Sequence, residues 1–253
     1  MKVVACYSMK GGVGKTATAV NLSYWAASQG LRTLLIDLDA QGASSFYFRV
    51  KPGRKKWGKR FFQAYENVLE QIRASDFEGL DVLPAHLSFR NFDALLASLE
   101  KRKSRLRRIL KGLKGEYDLI VLDCPPTISH LSESVFNAAD MVLVPVIPTT
   151  LSQRTFEQLL AFFAEKGYAR EVVVPFFSMV QRQKALHKST MTHMRQRHKG
   201  FLQAVIPFAR DIENMGEHRA PVAVFAARKP ATKAYLAMFD ELWPSLRPKG
   251  KKR

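Results

Sequence analysis

Acidic residues are scarce in this chain: 22 Asp and Glu stand against 40 Lys and Arg, giving a formal net charge of +18. With a pI near 10.1, this balance does not fit an ordinary metabolic enzyme; it is the footprint of a polyanionic partner. Cysteine is nearly absent. Cys6 and Cys124 are the only two and show no Cys-x-x-Cys spacing, which argues against a zinc or iron–sulfur framework and for a reducing cytoplasm. No apolar run reaches transmembrane length, and the first strand begins at once with no signal peptide ahead of it. What remains is a chain of 253 residues, 47% hydrophobic, long enough for one large α/β domain with a proper core. That domain is expected over residues 1–246, with the basic stretch 247–253 as a disordered tail.

The stretch Met9-Lys10-Gly11-Gly12-Val13-Gly14-Lys15-Thr16 follows an apolar run (Val3–Tyr7) and precedes a helical pattern (Ala17–Ser28). Strand, glycine-rich turn and helix is the setting in which a Gly-Lys-Thr ending binds a nucleoside triphosphate. Glycines let backbone N–H groups curl around phosphates, and the helix N-terminus adds the positive end of its dipole. Lys15 would reach the β- and γ-phosphates, and the Thr16 hydroxyl would sit on Mg²⁺. The loop departs from the common pattern, with Met9 where a glycine usually stands and a second lysine, Lys10, ahead of the glycines.

Two further apolar runs end in aspartate. Arg32–Asp37 reads as a strand buried on both faces, followed by Asp37-Leu38-Asp39-Ala40-Gln41-Gly42 at the strand edge where open α/β sheets bind ligands. Tyr117–Asp123 reads as the clearest buried strand, its terminal Asp123 facing Mg²⁺ through water, with Cys124-Pro125-Pro126-Thr127 following. Leu80–Ala85, Met141–Ile147, Val172–Met179 and Ala204–Phe208 read as further strands, and Ser152–Lys166 and Lys229–Leu246 as helices. A helix is also expected over Phe61–Ala74, and a long amphipathic one over Phe89–Leu113.

Positive charge gathers in three places. Phe46–Arg60 carries Arg49, Lys51, Arg54, Lys55, Lys56, Lys59 and Arg60 around Trp57; it is a solvated loop or a nucleic-acid contact. The helix expected at 89–113 has eight cations on its outer side, from Lys101 to Lys114, which fits a solubilising face or a membrane surface. Gln181–Lys199 holds Arg182, Lys184, Lys188, Arg195, Arg197 and Lys199 with His187, His193 and His198 between them. Neither the spacing of those histidines nor their neighbours supports a metal site.

Lys10-Gly-Gly-Val-Gly-Lys15-Thr16, Asp37-x-Asp39-x-Gln-Gly, Asp123-x-Pro-Pro and the Ile206-Pro207 segment together resemble the deviant Walker A ATPases of the ParA/MinD family. The resemblance covers almost the whole chain and is that of the compact ParA type, with no helix-turn-helix ahead of the loop. It implies a P-loop NTPase fold: a mostly parallel central sheet with helices on both faces. It implies ATP and Mg²⁺ as cofactors, with Lys10, Gly11, Gly12, Val13, Gly14, Lys15, Thr16 and Ala17 on the nucleotide and Pro207 and Phe208 against the adenine. Thr16, Asp37 and Asp123 would serve the metal. Asp39 would position the attacking water, although Ala40 stands where the family has proline. Lys10 would reach across an ATP-sandwich homodimer to the partner's nucleotide, so that Lys10, Lys15 and Asp39 form the catalytic set.

The same resemblance implies nucleoid association through non-specific DNA, and a ParB-like or cargo-adaptor partner that stimulates hydrolysis. Arg182, Lys184, Lys188, Arg195, Arg197, Lys199, Arg210 and Arg219 are the candidate DNA contacts. The family's arginine in the first of these segments would align at or beside Gln183, with Arg182 and Lys184 nearest, and the one expected four residues after Pro207 is Asp211 here, with Arg210 next to it. A MinD-like role at a membrane surface and a nucleotide-switched DNA-binding regulator are the alternative functions. The basic tail lacks the apolar face of the MinD-type membrane helix, so a membrane partner is not expected.

Overall fold

Strand β1 (Lys2–Cys6) lies inside the sheet because four of its five residues are apolar or small and bury completely. Such double-sided burial is what parallel strands covered by helices require. The computed structural model describes residues 1–53 and 58–247. Arg54, Lys55, Lys56 and Trp57 of the basic loop, and the tail beyond Arg247, lie outside the described residues.

From β1 the chain enters α1 (Lys15–Ser28), β2 (Thr33–Asp37) and α2 (Ala43–Tyr47), then α3 (Gly58–Phe61), α4 (Tyr65–Leu69), β3 (Arg73–Ala74) and β4 (Leu80–Leu83). The helices α5 (Phe92–Ala97) and α6 (Arg102–Gly112) lead to β5 (Leu119–Asp123), α7 (His130–Ala138), β6 (Met141–Val146) and α8 (Thr150–Lys166). Next come β7 (Val173–Val180), α9 (Ala185–Arg197) and β8 (Val205–Pro207). The short helices α10 (Arg210–Glu213), α11 (Met215–His218) and α12 (Val222–Phe225) precede the closing α13 (Pro230–Leu246).

Among the described residues the strands form one sheet in the order β3-β4-β2-β5-β1-β6-β7-β8. Every pairing is parallel except that of the two-residue β3 with β4. Helices cover both faces, as expected. One core joins Leu106 and Leu110 of α6, Val135 of α7, Phe156 of α8 and Met194 of α9. The other joins Leu22 and Trp25 of α1 to Tyr235 and Phe239 of α13, with Trp25 edge-on to Trp243.

Two expectations fail. The helix expected over Phe61–Ala74 is only α4 in its middle, and its end becomes strand β3. The long helix expected over Phe89–Leu113 is a 3₁₀ turn (Leu87–Asn91), then α5, then α6. The Ser98 hydroxyl donates to the Leu95 carbonyl and helps close α5, while Lys101 takes a left-handed φ of 52° before α6 starts. The break lets Phe89 and Phe92 turn onto Phe61 and Phe62 while α6 keeps its own leucines on the core.

Candidate nucleotide site

β1 delivers the chain into the loop, where Gly12 and Gly14 adopt φ of 67° and 97°, a region that side-chain-bearing residues rarely occupy. At Gly14 a Cβ atom would also come within 3.1 Å of the Ser178 hydroxyl on β7, so the glycine is needed twice over. Lys15 opens α1 and is buried; its Nζ donates to the carbonyl of Lys10 at 3.2 Å. Burial lowers its pKa, while Asp123 and Asp39 pull in the opposite direction. The Lys10 side chain turns back over its own protomer, its Nζ 3.5 Å from the buried Ser152 hydroxyl at the start of α8. Thr149 links to the same hydroxyl at 3.2 Å.

Asp37 and Asp123 close β2 and β5 in register. Asp37 Oδ2 accepts from the Ser45 amide at 2.9 Å and its hydroxyl at 2.6 Å, and Ser45 in turn accepts from the Ala85 amide. Its Oδ1 and both oxygens of Asp123 are buried with no hydrogen-bond partner, although the Thr16 and Ser44 hydroxyls lie near enough to ease the charge on Asp123. Burial, then repulsion between the two carboxylates, pushes Asp123 up to about 8; burial raises Asp37 to about 6 against the bonds from Ser45. Cys6 and Cys124, beside them, are free thiols whose pKa burial drives far upward, which makes them inert.

Orphaned carboxylate oxygens next to a hydroxyl, at the mouth of the glycine loop, suit a hard divalent cation. Among the described residues no three His, Cys, Asp or Glu gather to hold a metal alone. Mg²⁺ sites built from one or two carboxylates plus the phosphates need no such cluster. Thr16, Asp123 and Asp37 therefore fit the ion, with Thr16 half-buried at the first turn of α1.

Asp39 is half-buried beyond the end of β2, its Oδ1 accepting from the Gln41 amide at 3.0 Å. Ala40 leaves this turn without a proline. Instead, the Asp39 carbonyl accepts from the Gly42 amide, and Gly42 leads into α2 with φ 69°. Past Cys124 the Pro-Pro segment is tied to the P-loop strand, because the Tyr7 hydroxyl donates to the Thr127 carbonyl at 3.1 Å. Ser129 and Ser132 then cap α7 reciprocally. Pro207 ends β8, and the half-exposed Phe208 donates its amide to the Val180 carbonyl.

The expected DNA contacts separate into two groups. Arg182, Lys184, Lys188, Lys199 and Arg210 are exposed, as is Arg197, which faces Glu157 at 3.7 Å. Two candidates spend their guanidinium donors inside the chain. Arg195 donates to the Leu202 and Gln203 carbonyls and lies over the Phe177 ring. Arg219, with φ 47°, donates to the Phe46 carbonyl and lies 4.4 Å from the centre of that ring. Arg49 mirrors it with φ 58° and a bond to the His218 carbonyl. The three histidines share no centre. His187 accepts from the Gln181 amide, His198 stands beside Glu157, and His193 is exposed.

Sequence reasoning did not single out Ser44 and Ser45, which border the two aspartates, nor Ser152 and Ser178, which touch the loop. Ser44-Ser45 follows directly on Asp37-to-Gly42, and that adjacency was the available signal; the other two meet the loop only through the tertiary fold.

Residues 1–169 match the family model described as an AAA domain. Over 248 residues the chain is 29% identical to the sporulation initiation inhibitor protein Soj of Bacillus subtilis, covering 95% of this chain and 98% of that protein. A plasmid partition protein from Borrelia burgdorferi shares the fold with a TM-score of 0.72 at 22% identity, covering 96% and 98% of the two chains. An ATP complex of Cyanothece McdA superposes with a TM-score of 0.80 at 17% identity, covering 99% of each.

Proposed function

Because the chain belongs to the AAA-domain family, in the ParA-like group of P-loop ATPases, we propose that it is a positioning ATPase. It closes as a dimer on ATP, holds nucleoid DNA without sequence preference, and lets go on hydrolysis stimulated by a cargo-bound partner. The observation that carries this reading is the set of unpartnered, buried carboxylate oxygens on Asp37 and Asp123 beside Thr16 and Lys15. A site that keeps such oxygens without partners is arranged for a cation accompanied by phosphates.

In this reading Lys15 and the loop amides neutralise and orient the triphosphate, which is the main task in phosphoryl transfer. Mg²⁺ when bound supplies further charge neutralisation, held by Thr16 and Asp123 with Asp37 behind. Asp39 orients the water. Lys10 leaves Ser152 and reaches the partner's nucleotide, supplying a cation of the kind that accelerates such reactions ~10³–10⁵-fold. Pro207 and Phe208 border the base.

Dimer formation doubles the number of phosphate contacts on DNA. With roughly three from each protomer, about six act together, and each steepens the salt dependence by ~0.9. Arg182, Lys184, Lys188, Arg197, Lys199 and Arg210 remain the candidate contacts.

The test is retention on unrelated duplexes at fixed salt with ATP, with ADP, and with the Asp39→Ala variant loaded with ATP. Retention with ATP, loss with ADP and persistence in Asp39→Ala are expected, together with loss of ATP turnover in that variant. Equal retention with ATP and ADP would sink the gating model.

A further inference from the structure

Helix α6 carries a second strongly charged surface that the nucleotide site does not use. Its inward side, Leu106, Ile109, Leu110 and the following Leu113, is at most 3% exposed. The opposite side repeats the same i, i+3, i+4, i+7 spacing with Ser104, Arg107, Arg108 and Lys111. The three cations of that row are exposed, and among the described residues none has an ion-pair partner. The row spans about 10 Å of helix, and the exposed Lys101 and Lys114 extend it at both ends.

The local chemistry opposes this arrangement in an isolated chain. Like charges at i, i+3 and i+4 repel. Arg102 and Lys103 occupy the first helical turn with no acidic residue there, at the positive end of the dipole. Lys103 finds Glu133 at 2.9 Å, but the outward row finds nothing. Lys101 adds a left-handed N-cap with no side-chain bond. Local conflicts of this kind concentrate where a ligand resolves them.

We propose that the outward row of α6 is a second contact surface for the phosphate backbone of DNA, separate from the one expected around α9. The apolar side of α6 is fully used by the core, so the helix has no apolar face to lay into a bilayer as surface-bound amphipathic helices do. A row of cations with no ion-pair partner among the described residues is suited to phosphates, which carry no sequence information. Both helices contribute to the same core and so lie on one side of the sheet. α6 enters β5 in one half of the strand order, and α9 leaves β7 in the other. The α6 surface is therefore an addition to the α9 surface and not its continuation. This goes beyond the ATP-gated binding proposed above and does not require the gating.

The experiment compares the ATP-loaded full chain with the Arg107→Gln/Arg108→Gln/Lys111→Gln variant on a duplex of arbitrary sequence, across a salt series. Loss of three phosphate contacts lowers the slope of log affinity against log salt by about 2 to 3. Between ~50 and ~200 mM salt those contacts account for a roughly 40-fold change in affinity. The charge-keeping variant Arg107→Lys/Arg108→Lys should retain the wild-type slope, the triple variant should unfold no lower than the wild type because it loses like-charge repulsion, and all forms should keep the same DNA-free ATP turnover. An unchanged slope in the triple variant overturns the proposal while leaving ATP-gated binding intact. Equal wild-type binding with ATP and ADP overturns the gating and leaves the slope comparison readable. Vesicles containing phosphatidylserine form the second arm. Wild-type binding to them that the triple variant loses, with the DNA slope unchanged, assigns the surface to lipid and overturns the proposal. Failure of the wild type to bind DNA in either state overturns both readings.

Discussion

Asp37 and Asp123 sit opposite one another on adjacent parallel strands, both wholly buried, and only Asp37 is bonded by a backbone amide, that of Ser45. Burial, then repulsion from Asp37, displaces Asp123 upward in pKa further than Asp37, whose carboxylate the Ser45 bonds support. It also means that the protein without nucleotide carries an unrelieved electrostatic cost, which a cation removes.

The first expectation concerns pH. A carboxyl whose pKa in the folded state is raised binds its proton more tightly there than in the unfolded chain. Its contribution to stability is therefore complete below the unfolded value near 4 and is lost as pH rises toward about 8, the folded value for Asp123. Nucleotide-free protein should lose stability across this window. Asp123→Asn should flatten the decline and gain about 2 kcal/mol or more at pH 8, since each tenfold change in proton affinity is worth about 1.4 kcal/mol. The same variant should lose Mg²⁺-dependent nucleotide binding. Denaturant titrations at several pH values, with and without Mg·ATP, check both halves. A steeper decline in the variant would contradict the assignment.

Lys10 and Lys15 should separate by phenotype. Lys15 is buried at the start of α1, so Lys15→Ala should weaken triphosphate binding at least ~10²-fold, since a charge-assisted contact and its dehydrated setting are both lost. Among the described residues, Lys10 in a single protomer hydrogen-bonds Ser152 and its own loop. Lys10→Ala should leave monomer affinity within a few-fold and abolish ATP-dependent assembly. Equilibrium binding of a fluorescent ATP analogue and light scattering with ATP distinguish the two. Normal assembly and turnover in Lys10→Ala would remove the cross-protomer role.

Lys101 offers a test of the break between α5 and α6. A non-glycine residue at φ 52° costs about 1 kcal/mol, and glycine occupies that region freely. Lys101→Gly should therefore raise stability by up to about 1 kcal/mol, a rare case of glycine stabilising a helix boundary. An unfolding midpoint that falls instead would mean that the Lys101 side chain supports the fold in another way.

The elements that could be read directly from sequence are those whose signal is local. β2 and β5 are unbroken apolar runs ending in aspartate, and the structure buries every residue of both. The Lys10–Thr16 turn was legible because each glycine has one conformational task. The failures have a common physical cause, competition between local periodicity and tertiary demand. Leu95, Leu96, Leu99 and Leu106 fit one helical stripe, yet packing of Phe89 and Phe92 on Phe61 and Phe62 breaks that stripe at Lys101. Arg73 and Ala74 look helical until β4 presents an edge for them to pair with. α7 escaped notice because its capping box uses Ser132 in place of Glu or Gln. At the site, the Lys10–Ser152 contact joins residues 142 positions apart, and no local pattern encodes it. Arg195 and Arg219 look like free surface cations in sequence because carbonyl partners leave no mark there.

The paired bonds of Arg49 to the His218 carbonyl and Arg219 to the Phe46 carbonyl buckle two distant stretches of chain together. One stretch begins with the turn holding Asp39; the other follows the strand end at Pro207. Each arginine sits at a left-handed backbone angle, which is uncommon for a residue bearing a side chain. In the ATPase proposed above, a shift of the Asp39 turn would pull through these two bonds on the segment after Pro207.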